Sequence, residues 1–177
     1  ILTTNMKKPK RVQTKIKIAD QVDIHSALET ASNAGLEVIY KRHYREYDVY
    51  FSFDDPKQGR LRFREDEFIG DDGEVTGARS RLTLIGEASK EEFEKDVLLS
   101  RSRYLAPATN SLRFYREYFK PKSEKKLEKD RLRWFVKFQG TEFYINFDQF
   151  EKPDLGNFVE IKTRTWSRSD AKRKAEM

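Results

Sequence analysis

Apolar and polar residues alternate along several stretches of this chain, and in three of them the polar position carries charge. Gly59-Arg60-Leu61-Arg62-Phe63-Arg64-Glu65, Lys129-Asp130-Arg131-Leu132-Arg133-Trp134 and Phe158-Val159-Glu160-Ile161-Lys162 all have this form. Successive side chains of a strand point to opposite faces, so each segment predicts a strand with a charged face. A sheet that pools those faces makes a basic groove or tunnel holding a few carboxylates, a site for a dense polyanion.

The same patterning predicts the other elements. Lys15-Ile16-Lys17-Ile18 alternates and reads as a first strand. Asp20 or Asp23 caps a helix running to about Ala34, with Gly35 as its stop. Residues 37–53 are rich in β-branched and aromatic side chains and read as extended. A turn over 54–59 leads into the arginine strand 60–68, and Gly70, Gly73 and Gly77 mark a hairpin loop before a strand over 79–85. Ser89 and Glu92 form a capping box, predicting a helix to about Leu105 that ends at Pro107; a second, aromatic helix covers 112–118. The run 120–126 reads as a solvated charged loop. Strands are predicted near 131–139, 142–148 and 157–162, with turns at Gly140 and 153–156, then a basic helix capped by Ser167 or Ser169. The expected fold class is α+β with a largely antiparallel sheet, rich enough in strands to close on itself.

Composition narrows the reading only slightly. The chain has 177 residues, 36 Lys+Arg against 30 Asp+Glu, and a net charge of +6, which permits phosphate or nucleic-acid binding without demanding it. Its 13 Phe and 8 Tyr supply a core despite a 37% charged content. The absence of cysteine removes disulfides, thiolate nucleophiles and cysteine-based zinc sites, and fits a cytoplasmic protein. No apolar run approaches the ~20 residues of a membrane span. A start on Ile1 without a signal-peptide pattern is expected of a fragment of a longer chain. Only two histidines occur, and His25 reads as a surface residue of the first helix. No phosphate-cradling glycine loop or nucleophilic serine motif is present. Arginines, lysines and carboxylates on strands are left; Arg grips phosphate with a planar fork, and Lys adds point charge.

The order of these segments resembles the CYTH domain, the triphosphate tunnel metalloenzymes, a family of inorganic and thiamine triphosphatases and class IV adenylate cyclases. The resemblance rests on residues 47–51, Gly59-Arg60-Leu61-Arg62-Phe63-Arg64, Leu82-Thr83-Leu84-Ile85-Gly86, Lys90-Glu91-Glu92-Phe93-Glu94, Lys129-Asp130-Arg131, and Phe147-Asp148 leading into residues 155–161. It covers residues 11–166, leaving a basic arm over 1–10 and a basic tail or helix over 167–177. It implies a closed antiparallel β-tunnel with helices packed outside. It also implies that Lys15, Arg62, Arg64, Lys129 and Arg131 bind phosphate, and that Glu160 and Asp148 are the catalytic and metal-holding carboxylates, joined by Glu92 and Glu94.

The chain departs from the family where metal is held. The family's Glu-x-Glu-x-Lys strand corresponds here to Arg11-Val12-Gln13-Thr14-Lys15, the lysine of its Leu-Thr-x-Lys-Gly segment to Ile85, and its last Glu-x-Glu to Glu160-Ile161-Lys162. Arg11, Gln13 and Lys162 therefore remove carboxylates, and at most one Mg²⁺ or Mn²⁺ ion is expected. Phosphoryl transfer leans on metal for positioning and charge neutralisation, so phosphate affinity should outlast hydrolysis. The expected ligand is triphosphate, polyphosphate or a nucleoside triphosphate, in a protein whose metal-dependent triphosphatase activity is weakened or lost. One alternative is an active hydrolase with a shifted metal site that uses Glu92 and Glu94. Another is a nucleic-acid or protein interaction module using the arm and the tail cations Arg168, Lys172, Arg173 and Lys174. Asp48 reads as structural, and Tyr50, Phe51, Phe63, Phe147 and Phe158 read as core under the helices.

Overall fold

The computed structural model describes residues 10–86, 92–94, 97–99, 102–165 and 167–177. Strands are β1 (Lys10–Ile18), β2 (Glu37–Ser52), β3 (Arg60–Ile69), β4 (Val75–Ile85), β5 (Glu92–Glu94), β6 (Val97–Leu99), β7 (Ser102–Pro107), β8 (Ser123–Phe138), β9 (Thr141–Lys152) and β10 (Gly156–Thr165). The helices are α1 (Ile24–Asn33), α2 (Leu112–Phe119) and α3 (Arg168–Ala175). Among the described residues the strands form one antiparallel sheet in the order β5-β6-β1-β10-β9-β8-β2-β3-β4-β7.

The α+β class and the antiparallel sheet agree with the expectation, but the closed tunnel does not. No pairing among the described residues joins the end strands β5 and β7, so the sheet is not closed into a barrel. The strands at the β5 end are three residues long, with an irregular register between Glu92 and Glu94, which leaves little ladder to close with.

Two further expectations fail on the path of the chain. The helix expected from the capping box is replaced, where described, by β5, β6 and β7; Ser89 lies outside the described residues. A capping box is a local signal, and here the free edges of β1 and β4 capture this stretch as strands instead. The charged loop expected over 120–126 is also largely strand. β8 starts at Ser123, and its first residues pair with β2 while their side chains stay exposed. Charge alone does not distinguish a loop from the solvated end of a long ladder.

Each apolar face is covered by a helix. Asp23 caps α1 by accepting from the His25 backbone N–H, and Ile24 and Leu28, four residues apart, bury against Trp134, Val136, Phe143, Ile145 and Phe147. His25 is an exposed helix residue whose ring meets the Trp134 ring edge-on. Tyr115 of α2 packs with Val49, Phe51, Leu61 and Phe63. Phe51, Phe63 and Phe147 are thus helix-covered core as expected. Ser167 caps α3. Gln139 and Gly140, both at positive φ, turn β8 into β9, and this fixes which side chains of the two strands face each other. At Gly59, φ is +75° and a Cβ would collide with the Ile85 carbonyl, so glycine is required where β3 begins beside β4. No helix among the described residues is long and apolar enough to cross a membrane.

Candidate anion-binding site

Register places the charges. The pairs Asp48↔Arg64, Glu46↔Lys129, Arg131↔Asp148, Arg133↔Asn146 and Lys15↔Glu160 are cross-strand neighbours, so their side chains share one face across six strands. Alternation within each strand sends Val49, Phe63, Leu132, Phe147 and Val159 to the other face, toward the helices.

At the centre of the charged face is an ionic knot. Arg131, 3% exposed, donates from Nε to Asp148 Oδ1 at 2.5 Å and from Nη2 to Asp148 Oδ2 at 2.6 Å, while Nη1 reaches Glu46 Oε1 at 3.3 Å. Lys129 Nζ lies 3.1 Å from both Glu46 Oε2 and Asp148 Oδ2. Arg64 makes a two-pronged pair with Asp48, both contacts at 2.5 Å, and its Nη1 is 2.9 Å from Glu46 Oε2. That Glu46 oxygen has close cations on two sides but no hydrogen bond of good alignment. Burial pushes the Glu46 carboxyl up, yet Arg131, Lys129 and Arg64 more than offset this and hold it well below the usual range. Asp148 behaves alike: burial raises it, and Arg131 and Lys129 bring it down to about 2.

Cations outnumber carboxylates around the knot. Lys15 sits 3.9 Å from Asp148 Oδ2, with its ammonium over the rings of Phe150 and Phe158. Arg133 donates to the Asn146 Oδ1 at 2.7 Å and lies over the Tyr44 and Tyr144 rings. Asn146 in turn donates to Glu160 Oε2 at 2.8 Å, an oxygen that also accepts from Lys162 at 3.1 Å and from Arg131 at 3.4 Å. Burial, then the Lys162 charge on the other side of the balance, leaves the Glu160 carboxyl below its ordinary value. Burial and the nearby Arg131 and Arg133, only partly countered by Glu160, lower the Lys162 amine to about 7. On β3 and β4, Asp66 takes Arg79 at 2.9 Å and Arg81 at 2.5 Å. Arg62 donates to the neutral Thr83 hydroxyl at 3.2 Å. Among the described residues Arg62 Nε and Arg81 Nε are buried without a hydrogen-bond partner.

The face therefore gathers Lys15, Arg62, Arg64, Lys129, Arg131, Asp148 and Glu160, all expected from sequence. Glu92 and Glu94 lie on β5, with side chains outside the described residues. Arg11 is exposed opposite Arg164 and does not join the cluster. Sequence reading missed Glu46, Asp66, Arg79, Arg81, Arg133 and Asn146; the alternation Tyr44-Arg45-Glu46-Tyr47-Asp48 was the available signal for Glu46. Two aromatics expected under the helices lie on the charged face instead. Tyr50 lies under the guanidiniums of Arg60 and Arg62, and Phe158 lies against the Lys15 ammonium. Tyr50 follows Asp48 by two residues and Phe158 precedes Glu160 by two, so alternation commits both to the charged side.

The residues do not fit a resident divalent ion. Both Asp148 oxygens and Glu160 Oε2 accept from Arg, Lys or Asn, so a metal bound through these oxygens would have to displace those donors. No cluster of three metal-ligating side chains occurs among the described residues. A cavity of about 350 Å³ lies on the helix-covered side of the sheet, walled mainly by apolar residues such as Ala34, Val136, Phe143 and Ile145, with Gln13, Lys162 and Lys174 also at its wall.

Fold and site together define an antiparallel-sheet protein with a buried, cation-rich face. No protein-family model matches the chain, and no curated protein does. Solved structures do. A conserved hypothetical protein of Pyrococcus furiosus superposes with a TM-score of 0.50 at 20% identity, over 93% of this chain and 85% of that one. The PH1012 protein of Pyrococcus horikoshii OT3 superposes with a TM-score of 0.51 at 17% identity, over 93% and 84%. These likenesses show a shared fold alone. The RNA triphosphatase Pct1 of S. pombe, in complex with the Spt5 CTD, is also among the structural neighbours, with a TM-score of 0.39 and 10% identity over 99% and 78%. A likeness that weak carries no argument.

Proposed function

We propose that this protein is a divergent relative of the CYTH domain that binds triphosphate or polyphosphate-type anions, nucleoside triphosphates included, on its charged face. In this reading metal-dependent hydrolysis is weakened or lost, and the protein works in the cytoplasm. The observation that carries the proposal is that two arginines of the charged face, Arg62 level with Tyr50 and Arg133 level with Arg42 of β2, have no carboxylate contact among the described residues. Each donates to a neutral group, Thr83 or Asn146, while Asp48 and Asp148 are already taken by Arg64, Arg131 and Lys129. Guanidiniums held on a half-buried face without a carboxylate are placed to pair with an incoming anion. Asp148 and Glu160 then act by holding Arg131, Lys129 and Lys162 in position, and the anion needs no resident Mg²⁺ or Mn²⁺.

Calorimetric titration with tripolyphosphate, with and without Mg²⁺ or Mn²⁺ and with phosphate release followed in the same samples, tests this. Metal-independent binding without release is expected, and Arg62→Ala combined with Arg133→Ala should weaken it about tenfold or more, the loss of charge-assisted contacts. Binding and release that both require metal would instead identify an active hydrolase. Salt-steep binding of nucleic acid, abolished by deleting residues 1–10 and 167–177, would identify an interaction module.

A further inference from the structure

Lys162 follows Glu160 by two residues on β10, so both side chains leave the strand on the same face. The Lys162 Nζ is 3.1 Å from Glu160 Oε2, and 14% of its side chain is exposed. Asn146 and Arg131 donate to the same oxygen at 2.8 and 3.4 Å. Arg133 and Arg131 also act on the ammonium from β8, while Gln13 on β1 and Tyr144 on β9 stand opposite it in register. Lys162 and Arg131 thus share one carboxylate oxygen, and Arg133 adds an ammonium-repelling charge nearby with no carboxylate contact of its own among the described residues. A bound anion would complete the arrangement.

We infer that Lys162 takes the place of a divalent cation at this site, supplying a covalently attached charge that grips the anion and keeps metal off Glu160. The inference rests on the reading of this face as an anion site, and it goes beyond that reading by assigning one residue the work of an ion. A hard divalent cation needs oxygen ligands, commonly one or two carboxylates with phosphate oxygens. Here one of the two Glu160 oxygens, Oε2, is already held by an ammonium, a guanidinium and an amide, which leaves a metal no bidentate grip on this carboxylate. An ammonium hydrogen-bonds and neutralises one charge, but it does not supply the double charge and multiple coordination through which a metal clamps a transferring phosphoryl group. Retained binding with weakened turnover is the consequence.

The test compares the full chain with Lys162→Glu, Lys162→Met and Lys162→Arg, each checked for folding by circular dichroism. Mn²⁺ is first titrated alone. Lys162→Glu, which adds a second carboxylate two residues from Glu160, should bind Mn²⁺ about tenfold or more tighter than the unmodified protein. Tripolyphosphate is then titrated in chelator-treated buffer. Lys162→Met should lose about tenfold or more in affinity, and Lys162→Arg should keep it. Equal Mn²⁺ affinity in the unmodified protein and Lys162→Glu, or undiminished tripolyphosphate affinity in Lys162→Met, overturns the inference. Should the unmodified protein take up no tripolyphosphate, the anion reading itself fails, while the Mn²⁺ comparison still decides whether Lys162 blocks metal. If Lys162→Glu does not fold, Lys162→Gln, which removes the charge and offers an amide oxygen, serves in the Mn²⁺ comparison.

Discussion

Arg131 and Arg133 stand two residues apart on β8 and face the same way, yet they belong to two different regions. Arg131 is spent inside the knot, on Asp148 and Glu46. Among the described residues Arg133 has the Asn146 amide and two aromatic rings, with no carboxylate contact. The knot is electrically matched and holds strands β2, β3, β8 and β9 together. The surrounding cations outnumber the carboxylates they reach, Glu160 and Asp66 among them. Identical residue types are therefore ion-paired in one region and, in the proposed function, free for a ligand in the other, and the number of carboxylate partners separates them.

The sharpest way to break the comparison is to remove the centre of the knot. Asp148→Ala leaves Arg131 and Lys129 buried without their shared partner, and should cost about 3–5 kcal/mol in denaturant unfolding. A loss under 1 kcal/mol would mean the knot is not what holds the strands.

Acid attacks the same region by protonation. The Asp148 carboxyl titrates at about 2 when folded, below its ordinary 3.8, so its stabilisation is complete above the unfolded value and disappears as pH falls toward 2. Glu46, Asp48 and Glu160 are lowered too and add to the same trend. Unfolding midpoints between pH 5 and 2 should fall steeply in the unmodified protein and less steeply in Asp148→Asn.

The cations around the knot respond at the other end of the scale. Lys162 is lowered to about 7 from 10.5, so between those values the unfolded chain holds a proton that the folded one has shed. Stability contributed by this residue therefore rises as pH climbs from about 7 toward about 10.5, and Lys15, also lowered, has the same sign. Lys162→Met should flatten that rise in pH-dependent denaturant melts.

Arg133→Ala sharpens the comparison from the ligand side. It should lower tripolyphosphate affinity while costing about 1 kcal/mol of stability, one hydrogen bond to Asn146. The smallest effect belongs to an exposed pair of the same chemistry. Arg113 and Glu117, 2.9 Å apart on α2 with side chains 86% and 68% exposed, should give less than about 0.5 kcal/mol on Arg113→Ala.

The charged face was legible because strand alternation is a local property. Arg62 and Arg64, Lys129 and Arg131, and Glu160 fall on it by period alone. Glu46 was not read because its strand alternates aromatic residues with charges on both faces, so neither face declares itself inward until β3 and β8 pair with it. Arg133 alternates in step with Arg131, but that it meets an amide and no carboxylate among the described residues depends on Asn146, thirteen residues away and across a hairpin.

What the sequence determined by itself is the strand period, the turns at Gly35 and Gly140, the Asp23 and Ser167 caps and the surplus of cations on one side of several strands. All of these are set by residues within a few positions of one another. Tertiary structure decided which strands became neighbours, that the stretch after Ser89 joins sheet edges where it is described, that the sheet stays open, and which cations found carboxylates. Those outcomes depend on pairing between residues far apart in the chain, where backbone hydrogen bonding and ion pairing together outweigh local preference.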